Sequence, residues 1–265
     1  MFKNITIGQY YPGDSIIHRL DPRIKIIIIT LFIISIFFIQ DFIGYLPILI
    51  FIIGVIQISG VPGKKVLRGL RPLFLIIMVT MIFNILLTPG AVIFRLWFIN
   101  ITREGIRQAL FMGLRLIFLV TGTSLLTLTT SPISLTDGIE SLLSPLKRFG
   151  MPSHELAMMM SIALRFIPTL MEETDKIMKA QMARGADFES GNVLKRAKNM
   201  VPLLVPLFVN AFRRADELAT AMEARCYRGG EGRTRLKPLK LEQKDFVALF
   251  VCIVFFAGTI FISRL

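Results

Sequence analysis

The chain has 265 residues, of which 54% are hydrophobic and 18% are charged, and its mean hydropathy is +0.65. Soluble domains are about 45–50% apolar and about a quarter charged, so this composition excludes an ordinary soluble protein and predicts an integral membrane protein. The net charge of +13 does not predict a nucleic acid partner, because the positive-inside rule and the anionic headgroups of the lipid bilayer already demand basic residues.

Five apolar stretches are predicted to span the membrane as helices, which takes about 17–25 residues each. They are Ile24–Gln40, Phe42–Ser59, Pro72–Leu87, Gly105–Thr130 and Phe246–Ile262. The third of these is short. Isoleucine and phenylalanine are poor helix formers in water, but in lipid the backbone must form its hydrogen bonds internally. The sequence therefore predicts an all-α integral membrane protein with about five transmembrane helices.

Basic residues are unevenly distributed between the predicted loops. One cluster lies at the start of the first span and another between the second and third spans: His18, Arg19, Arg23 and Lys25, then Lys64, Lys65, Arg68 and Arg71. The loop between the first two spans offers only Asp41. Under the positive-inside rule we expect the N-terminus in the cytoplasm and the C-terminus outside, although Arg95 and Arg103 then fall on the outer side.

Two long helices are predicted between the fourth and fifth spans. The first runs from Pro152-Ser153, with the Ser153 hydroxyl as its cap, to about Arg184, and the second runs from about Ala197 to Arg225. Both are half apolar and half charged, which is typical of helices at a membrane surface. Prolines inside them are expected to bend them: Pro168, Pro202 and Pro206.

These elements divide the chain into three regions. We predict N-terminal transmembrane helices in residues 1–130, a cytoplasmic or interfacial region of two long coupling helices in residues 131–244, and a C-terminal transmembrane helix in residues 245–265. The middle region is too long to be a loop without structure.

The two long helices are predicted to end in similar tripeptides, Ala183-Arg184-Gly185 and Ala224-Arg225-Cys226. A cation interacts favourably with the helix dipole at a C-terminus, and glycine is common just beyond it, so either tripeptide alone is explained as a helix stop. Two near-copies at equivalent helix ends also suit docking, because an exposed guanidinium can form forked hydrogen bonds to carboxylates or carbonyls of a partner.

Two further patterns indicate contact surfaces on these helices. Ala211, Ala215 and Ala219 recur every four residues, which lets a second helix cross closely, although alanine is also the best helix former. Methionine is concentrated in the same region and includes the run Met158, Met159 and Met160. Such a run suits a surface that accepts different partners, and it suits irregular core packing equally well.

The sequence carries no motif for catalysis or nucleotide binding. Gly60-Val-Pro-Gly-Lys64 lacks the spacing and the hydroxyl of a phosphate loop, and the two histidines, His18 and His154, have no metal-ligating residues at suitable spacing. Arg115 and Arg165 lie in apolar sequence, where a charge suggests a functional site unless it snorkels or is paired. Because the sequence offers no motif for catalysis, nucleotide binding or metal binding, we expect no enzymatic activity, no metal and no cofactor in this chain.

Several segments, in order, resemble the transmembrane (T) component of energy-coupling factor transporters, which import vitamins and transition-metal ions into bacteria and archaea. These segments cover nearly the whole chain. They are Tyr11-Pro-Gly-Asp-Ser15, His18-Arg-Leu-Asp-Pro-Arg23, Thr129-Thr-Ser-Pro132, Ala163-Leu-Arg-Phe-Ile-Pro168, Ala180-Gln-Met-Ala-Arg-Gly-Ala186, Arg214-Ala-Asp-Glu-Leu-Ala219 and Ala221-Met-Glu-Ala-Arg225. The resemblance implies a multi-pass component of a heteromeric importer in the cell membrane of a bacterium or archaeon.

The resemblance also implies the partners. In this family two cytosolic ATP-binding cassette (ABC) subunits, which bind ATP and Mg²⁺, drive the T component, and the T component holds a small substrate-binding (S) component. Two long helices of the T component cross, and each ends in an Ala-Arg-Gly-type motif that docks into one ATPase. The resemblance maps those motifs onto Ala183–Gly185 and Ala224–Cys226, with Cys226 where glycine is usual. We expect the S component, which determines the transported substrate, on the Met158–Met160 surface and on the spanning helices.

Two alternatives belong to other functional classes. A secondary transporter or channel acting alone requires an internal repeat across the membrane halves and polar residues along a path. The only repeat found in the sequence is the short one at the two helix ends. A membrane-embedded enzyme requires an acid/base or metal set, which the sequence does not offer.

Overall fold

The computed structural model describes residues 10–96, 99–188, 190, 192–229 and 239–263, which form two compact units. The bundle unit comprises Gly8–Leu142 and Pro238–Leu265, and the hairpin unit lies in Leu143–Lys237. The α-helices in the described residues are α1 (Ile16–Arg19), α2 (Pro22–Phe38), α3 (Tyr45–Ser59), α4 (Gly63–Leu70), α5 (Phe74–Leu87), α6 (Arg103–Thr129), α7 (Pro132–Leu143), α8 (Ser153–Ala183), α9 (Val193–Ala224) and α10 (Gln243–Ile262). The predicted boundary at residue 131 falls before α7, whereas the two units divide after it.

Four helical segments of the described chain are long and apolar enough to cross a membrane. They are Phe42–Ser59, Gly63–Leu87, Arg103–Thr129 and Gln243–Ile262. The first predicted span forms α2, whose 17 residues lie at the lower limit for crossing. The third predicted span was short because its sequence pattern begins at Pro72. In the structure a turn of 3₁₀ helix at Arg71–Leu73 joins α4 to α5, so the basic sequence before Pro72 is helical too.

Side-chain caps explain where three helices of the bundle unit begin. The Asp21 carboxylate accepts a hydrogen bond from the backbone N–H of Arg23, and Pro22 has the fixed φ that suits a first helical residue. The Thr102 hydroxyl accepts from the N–H of Gly105 at the start of α6. Glu242 and Asp245 form a reciprocal capping box at the start of α10. Each cap satisfies N–H groups that the helix leaves without partners.

A short antiparallel hairpin interrupts the otherwise helical bundle unit. Its strands are β1 (Val92–Leu96) and β2 (Ile99–Thr102), and the register shifts between Val92 and Phe94. The Glu104 carboxylate accepts from the N–H of Ala91 at 2.7 Å, and the Thr102 hydroxyl donates to the Thr88 carbonyl at 2.8 Å. The sequence did not predict these strands, because two short strands give too little alternation to stand out beside long apolar runs.

The core of the bundle unit lies between α2, α3, α6 and α10. Phe32, Ile36, Ile39 and Ile48 are fully buried there. Gly122 on α6 permits this packing, because a Cβ atom at that position would overlap the ring of Phe32. The outward faces are also apolar, with large exposed side chains such as Phe74, Phe83, Phe250 and Val254. Apolar faces of this extent are suited to contact with the acyl chains of a lipid bilayer.

The hairpin unit is dominated by α8 and α9, which run antiparallel. Near the connecting loop the Gln181 amide donates to the Pro202 carbonyl at 3.3 Å. Further along, the Asn210 amide donates to Glu173 Oε1 at 2.5 Å, and Arg214 Nε lies 3.6 Å from Glu173 Oε2. These contacts pair residues that lie progressively farther from the loop, as an antiparallel arrangement requires.

Two details of these helices, the cap of α8 and the start of α9, differ from those predicted. Ser153 does not cap α8 through its side chain; it is the first helical residue, and Pro152 occupies the N-cap position without a side-chain hydrogen bond. The second helix begins at Val193, about four residues before the predicted start, with Asn192 as its N-cap residue. Both helices continue through their internal prolines, Pro168, Pro202 and Pro206.

Candidate functional site

The end of α8 is closed by a Schellman motif, in which the chain leaves the helix through a left-handed residue. Gly185 supplies that residue, with φ of +85°. The N–H of Gly185 donates to the Met182 carbonyl at 3.0 Å, and the N–H of Ala186 donates to the Gln181 carbonyl at 2.9 Å. Arg184 is thereby held at the C-cap position, and it is exposed.

The end of α9 repeats this geometry. The N–H of Cys226 donates to the Glu223 carbonyl at 2.8 Å, and the N–H of Tyr227 donates to the Met222 carbonyl at 3.0 Å. Arg225 is the C-cap residue and is exposed, as Arg184 is. The left-handed position is taken by Cys226, with φ of +54°. The backbone therefore adopts the same stop at both ends, although one of them lacks glycine.

The antiparallel pairing separates the two arginines along the hairpin. Arg184 adjoins the loop that connects α8 to α9, whereas Arg225 lies beside Met158 near the start of α8. Residues 158–184 of a helix span about 40 Å at 1.5 Å per residue. The hairpin thus presents one exposed guanidinium near each of its ends. Such groups can bind carboxylates or backbone carbonyls of two separate partners.

A pocket of about 530 Å³ lies beside the end of α9. Its lining combines apolar side chains of both helices with the second tripeptide: Met158, Ile162, Leu218, Met222, Arg225, Cys226, Tyr227, Arg228 and Gly229. The structure thus brings together Met158, predicted as an S-component contact, and Arg225, predicted as an ATPase-docking residue. Met159 and Met160 are exposed.

The alanine stripe on α9 lies largely on the surface. Ala211 is half-buried, and Ala215 and Ala219 are exposed. Polar contacts from α9 to α8 come instead from Pro202, Asn210 and Arg214. A close helix crossing through the alanine stripe stays a prediction.

Arg115, one of the two arginines in apolar sequence, has a structural role. Its guanidinium donates to the Ile39 carbonyl at 3.0 Å and to the Tyr45 hydroxyl at 3.3 Å, and it lies 5.0 Å from the ring centroid of Phe111. Ile39 is the C-cap residue of α2, so Arg115 satisfies a carbonyl at the end of that helix. Arg165 on α8 is exposed.

The N-terminal sequence motifs form a polar cluster that the sequence did not predict. The buried Lys25 ammonium donates to the carbonyls of His18 and Thr129, each at 3.1 Å, and to the Thr130 hydroxyl at 3.2 Å. These three acceptors match the three protons of the ammonium. A lysine one residue inside an apolar run is the signal that could have revealed this cluster, because a charge there must find partners.

Three further residues, Asp21, Arg23 and Asp245, extend this cluster to α10. Asp21 is ion-paired with Arg23 at 2.8 Å, and its backbone N–H donates to the buried Asp245 carboxylate at 2.9 Å. Burial raises the pKa of Asp21, but hydrogen bonds from Arg23 and the charges of Arg23 and Lys25 outweigh burial, so its pKa lies below its usual value. The start of α2, the end of α6 and the start of α10 are thereby connected.

His18 fixes the segment before α2. One of its ring nitrogens lies 2.7 Å from the Ser15 hydroxyl and the other 3.0 Å from the Tyr11 carbonyl. The N–H of Tyr11 donates to the Leu128 carbonyl on α6 at 2.8 Å. Gly13 is needed beside this ring, because a Cβ atom there would lie 2.9 Å from His18 Cε1. This motif is therefore explained by folding of the bundle unit.

Apolar helices of crossing length and polar clusters at their ends define a multi-pass integral membrane protein. The family model described as "cobalt transport protein" (CbiQ) matches residues 13–236. Proteins described as "energy-coupling factor transporter transmembrane protein EcfT" align over nearly their whole length. Those of Thermosediminibacter oceani and Clostridium kluyveri are 62% and 60% identical, covering 97% and 96% of this chain and 97% and 95% of their own. That of Bacillus subtilis is 51% identical and covers both chains completely.

The chain belongs to this family of energy-coupling factor transporter membrane components. Membership identifies it as a transporter scaffold component rather than a catalytic subunit, and it makes a stand-alone transporter or channel the less favoured reading.

Proposed function

We propose that this chain is the coupling scaffold of an ABC-type importer for vitamins or other micronutrients. It transmits motion from two cytosolic ATPase subunits, which bind ATP and Mg²⁺, to a membrane-embedded S component that binds the substrate. The observation that carries the proposal is the pair of exposed arginines, Arg184 and Arg225, held in the same C-cap geometry near the two ends of one antiparallel hairpin. Two similar docking points suit two similar partners.

The hairpin geometry supports a mechanical role. A helix held by continuous backbone hydrogen bonds transmits displacement along its axis, and α8 and α9 are fastened to each other through Glu173. A change in separation of two ATPases, one bound at Arg184 and one at Arg225, displaces the two ends of the hairpin relative to each other. The S component follows this motion through Met158, Met159 and Met160 and through the spanning helices.

Charge reversal at both docking points tests the proposal. The double variant Arg184→Glu, Arg225→Glu places carboxylates where the ATPases require guanidinium groups. Removal of one partner from a desolvated charge pair costs about 2–5 kcal/mol, so each reversal is expected to weaken ATPase binding by roughly 30-fold or more. Co-purification of the ATPases with the tagged chain and ATP-driven uptake in proteoliposomes are both expected to be lost, while membrane insertion is unchanged.

The matched control is Arg213→Glu, an exposed arginine of α9 that lies eleven positions before the helix end. It alters the net charge without touching either tripeptide, and it should retain both ATPases and uptake. ATP-driven uptake by the double variant at the wild-type rate would refute the docking assignment. Uptake by the purified chain alone, driven by an ion gradient, would establish the secondary-transporter alternative.

A further inference from the structure

An apolar cleft of about 330 Å³ opens in the side of the bundle unit. Its walls come from α1, α2, α3, α6 and α10, and its floor includes Phe32 and Gly122. Three lining residues, Ile16, Ile58 and Val251, are more than half exposed, so the cleft is open to the surroundings of the unit. Its volume lies within the range of about 300–1,000 Å³ that is usual for ligand sites.

The chemistry of the walls restricts the occupant. Among the described residues, the lining is formed almost entirely by aliphatic and aromatic side chains, and its single charged member, Lys25, has its ammonium occupied by two carbonyls and a hydroxyl. Water does not fill such a space, because apolar cavities offer it no hydrogen bonds. Three helices that line the cleft belong to segments of membrane-crossing length, so the surrounding medium consists of lipid acyl chains.

One end of the cleft carries positive charge. Ile16, Ile17 and Leu20 of the cleft flank Arg19, whose side chain is 65% exposed and only loosely paired with Asp14, at 3.9 Å. The Lys65 ammonium lies 3.9 Å above the Tyr11 ring. The Tyr11 carbonyl lies 3.0 Å from a ring nitrogen of His18 on α1, so contacts connect Lys65 to the helix that forms this end of the cleft. Basic groups beside an apolar cleft attract anionic lipid headgroups.

We propose that this cleft holds one acyl chain of an anionic phospholipid, with the headgroup beside Arg19 and Lys65. The site is a property of the bundle unit and does not depend on the arginines that dock the ATPases. The bound lipid fills a space between α2, α3 and α10 that the protein leaves open.

Native mass spectrometry of the full chain in mild detergent, with added phosphatidylglycerol or phosphatidylcholine, tests the proposal. Wild-type protein should retain one phosphatidylglycerol molecule. Ala248→Phe adds a ring to the cleft wall and should reduce the retained fraction by about tenfold or more, because the acyl chain loses its apolar contacts. The matched control is Ala257→Phe, an exposed position of the same helix that does not line the cleft; it should retain the lipid like wild type.

The headgroup assignment has its own variant. Arg19→Gln, Lys65→Gln should abolish the preference for phosphatidylglycerol over phosphatidylcholine while leaving the cleft open. Equal retention of both lipids by wild type, or equal retention by Ala248→Phe and Ala257→Phe, would overturn the proposal.

Crosslinking tests the proposal on the wild-type protein, so its result does not depend on whether the variants fold. Phosphatidylglycerol with a diazirine on one acyl chain should label cleft residues such as Ile29, Leu126 and Ala248. Their labelling yield should exceed that of the outward-facing Phe74 and Phe83 of α5. Labelling without this enrichment contradicts the site. Loss of the enrichment in the assembled transporter would assign the cleft to a protein partner instead of a lipid.

Discussion

Cys226 occupies a backbone conformation that side chains disfavour. Among the described residues it is the only one other than glycine with a positive φ. The left-handed conformation costs a residue with a Cβ atom roughly 1–2 kcal/mol. It is held there by the same pair of backbone hydrogen bonds that holds Gly185 at the end of α8. The bonds of the Schellman motif, rather than the residue type, therefore determine the shape of this helix end.

An exchange of residues between the two helix ends separates backbone strain from side-chain contact. Cys226→Gly should stabilise the end of α9 by about 1 kcal/mol, because glycine adopts a positive φ without steric cost. Gly185→Cys should destabilise the end of α8 by a similar amount. A Cβ atom at Gly185 meets nothing within 4 Å, so only the backbone cost is added.

Hydrogen exchange of the two Schellman amides measures this difference. The amide of Tyr227 should exchange about fivefold more slowly in Cys226→Gly, and that of Ala186 about fivefold faster in Gly185→Cys. Faster amide exchange in both variants would show instead that contacts of the Cys226 thiol stabilise the end of α9.

At the scale of elements, one buried carboxylate connects the start of α10 to α2. Asp245 is 1% exposed, and it accepts from the N–H of Asp21 at 2.9 Å and from the N–H of Glu242 at 2.8 Å. The first bond connects α10 to the start of α2, and the second closes the capping box. The start of α10 is therefore fastened to the start of α2.

Substitution of Asp245 should show how much this connection contributes. Asp245→Ala removes the acceptor of two N–H groups, and the buried N–H of Asp21 alone should cost about 1–3 kcal/mol, so the melting temperature in detergent should fall by several degrees. Asp245→Asn keeps one acceptor oxygen, so its melting temperature should lie between those of Asp245→Ala and wild type. Glu242→Ala, at an exposed position, is the control and should cost about 1 kcal/mol as a lost cap. An Asp245→Ala variant with the melting temperature of wild type would contradict the role assigned to this carboxylate.

The sequence predicts the long elements and misses the contacts between them for one physical reason. Apolar runs and the Ala-Arg ends are local signals, so the predicted spans and the ends of α8 and α9 lie within a few residues of the observed helices. The bond between Asp21 and Asp245 joins residues that are 224 positions apart, and no local pattern records it. The antiparallel pairing that separates Arg184 from Arg225 is likewise a tertiary property.

At the scale of the whole molecule, the distribution of charge makes a prediction about the orientation of the chain. Asp41 precedes the crossing-length segment Phe42–Ser59, and Lys64 follows it, so the two residues lie on opposite sides of the membrane if this segment spans it. Both are exposed. The positive-inside rule predicts that Lys64 is cytoplasmic, with the N-terminus on the same side, because α2 and α3 then cross in opposite directions. With α5 and α6 as two further crossings, the same rule predicts that the residues between α6 and α10 lie on that side.

Cysteine labelling decides between the two orientations. In a background with Cys226→Ser and Cys252→Ser, the variant Asp41→Cys should react with a membrane-impermeant maleimide in intact cells. Lys64→Cys should react only after lysis. The loss of the exposed Asp41–Arg107 pair, at 3.3 Å, should affect stability by less than about 1 kcal/mol, so both variants should fold. Labelling of Lys64→Cys in intact cells would place Arg184 and Arg225 outside the cell, where cytosolic ATPases cannot reach them, and would refute the coupling proposal together with the orientation.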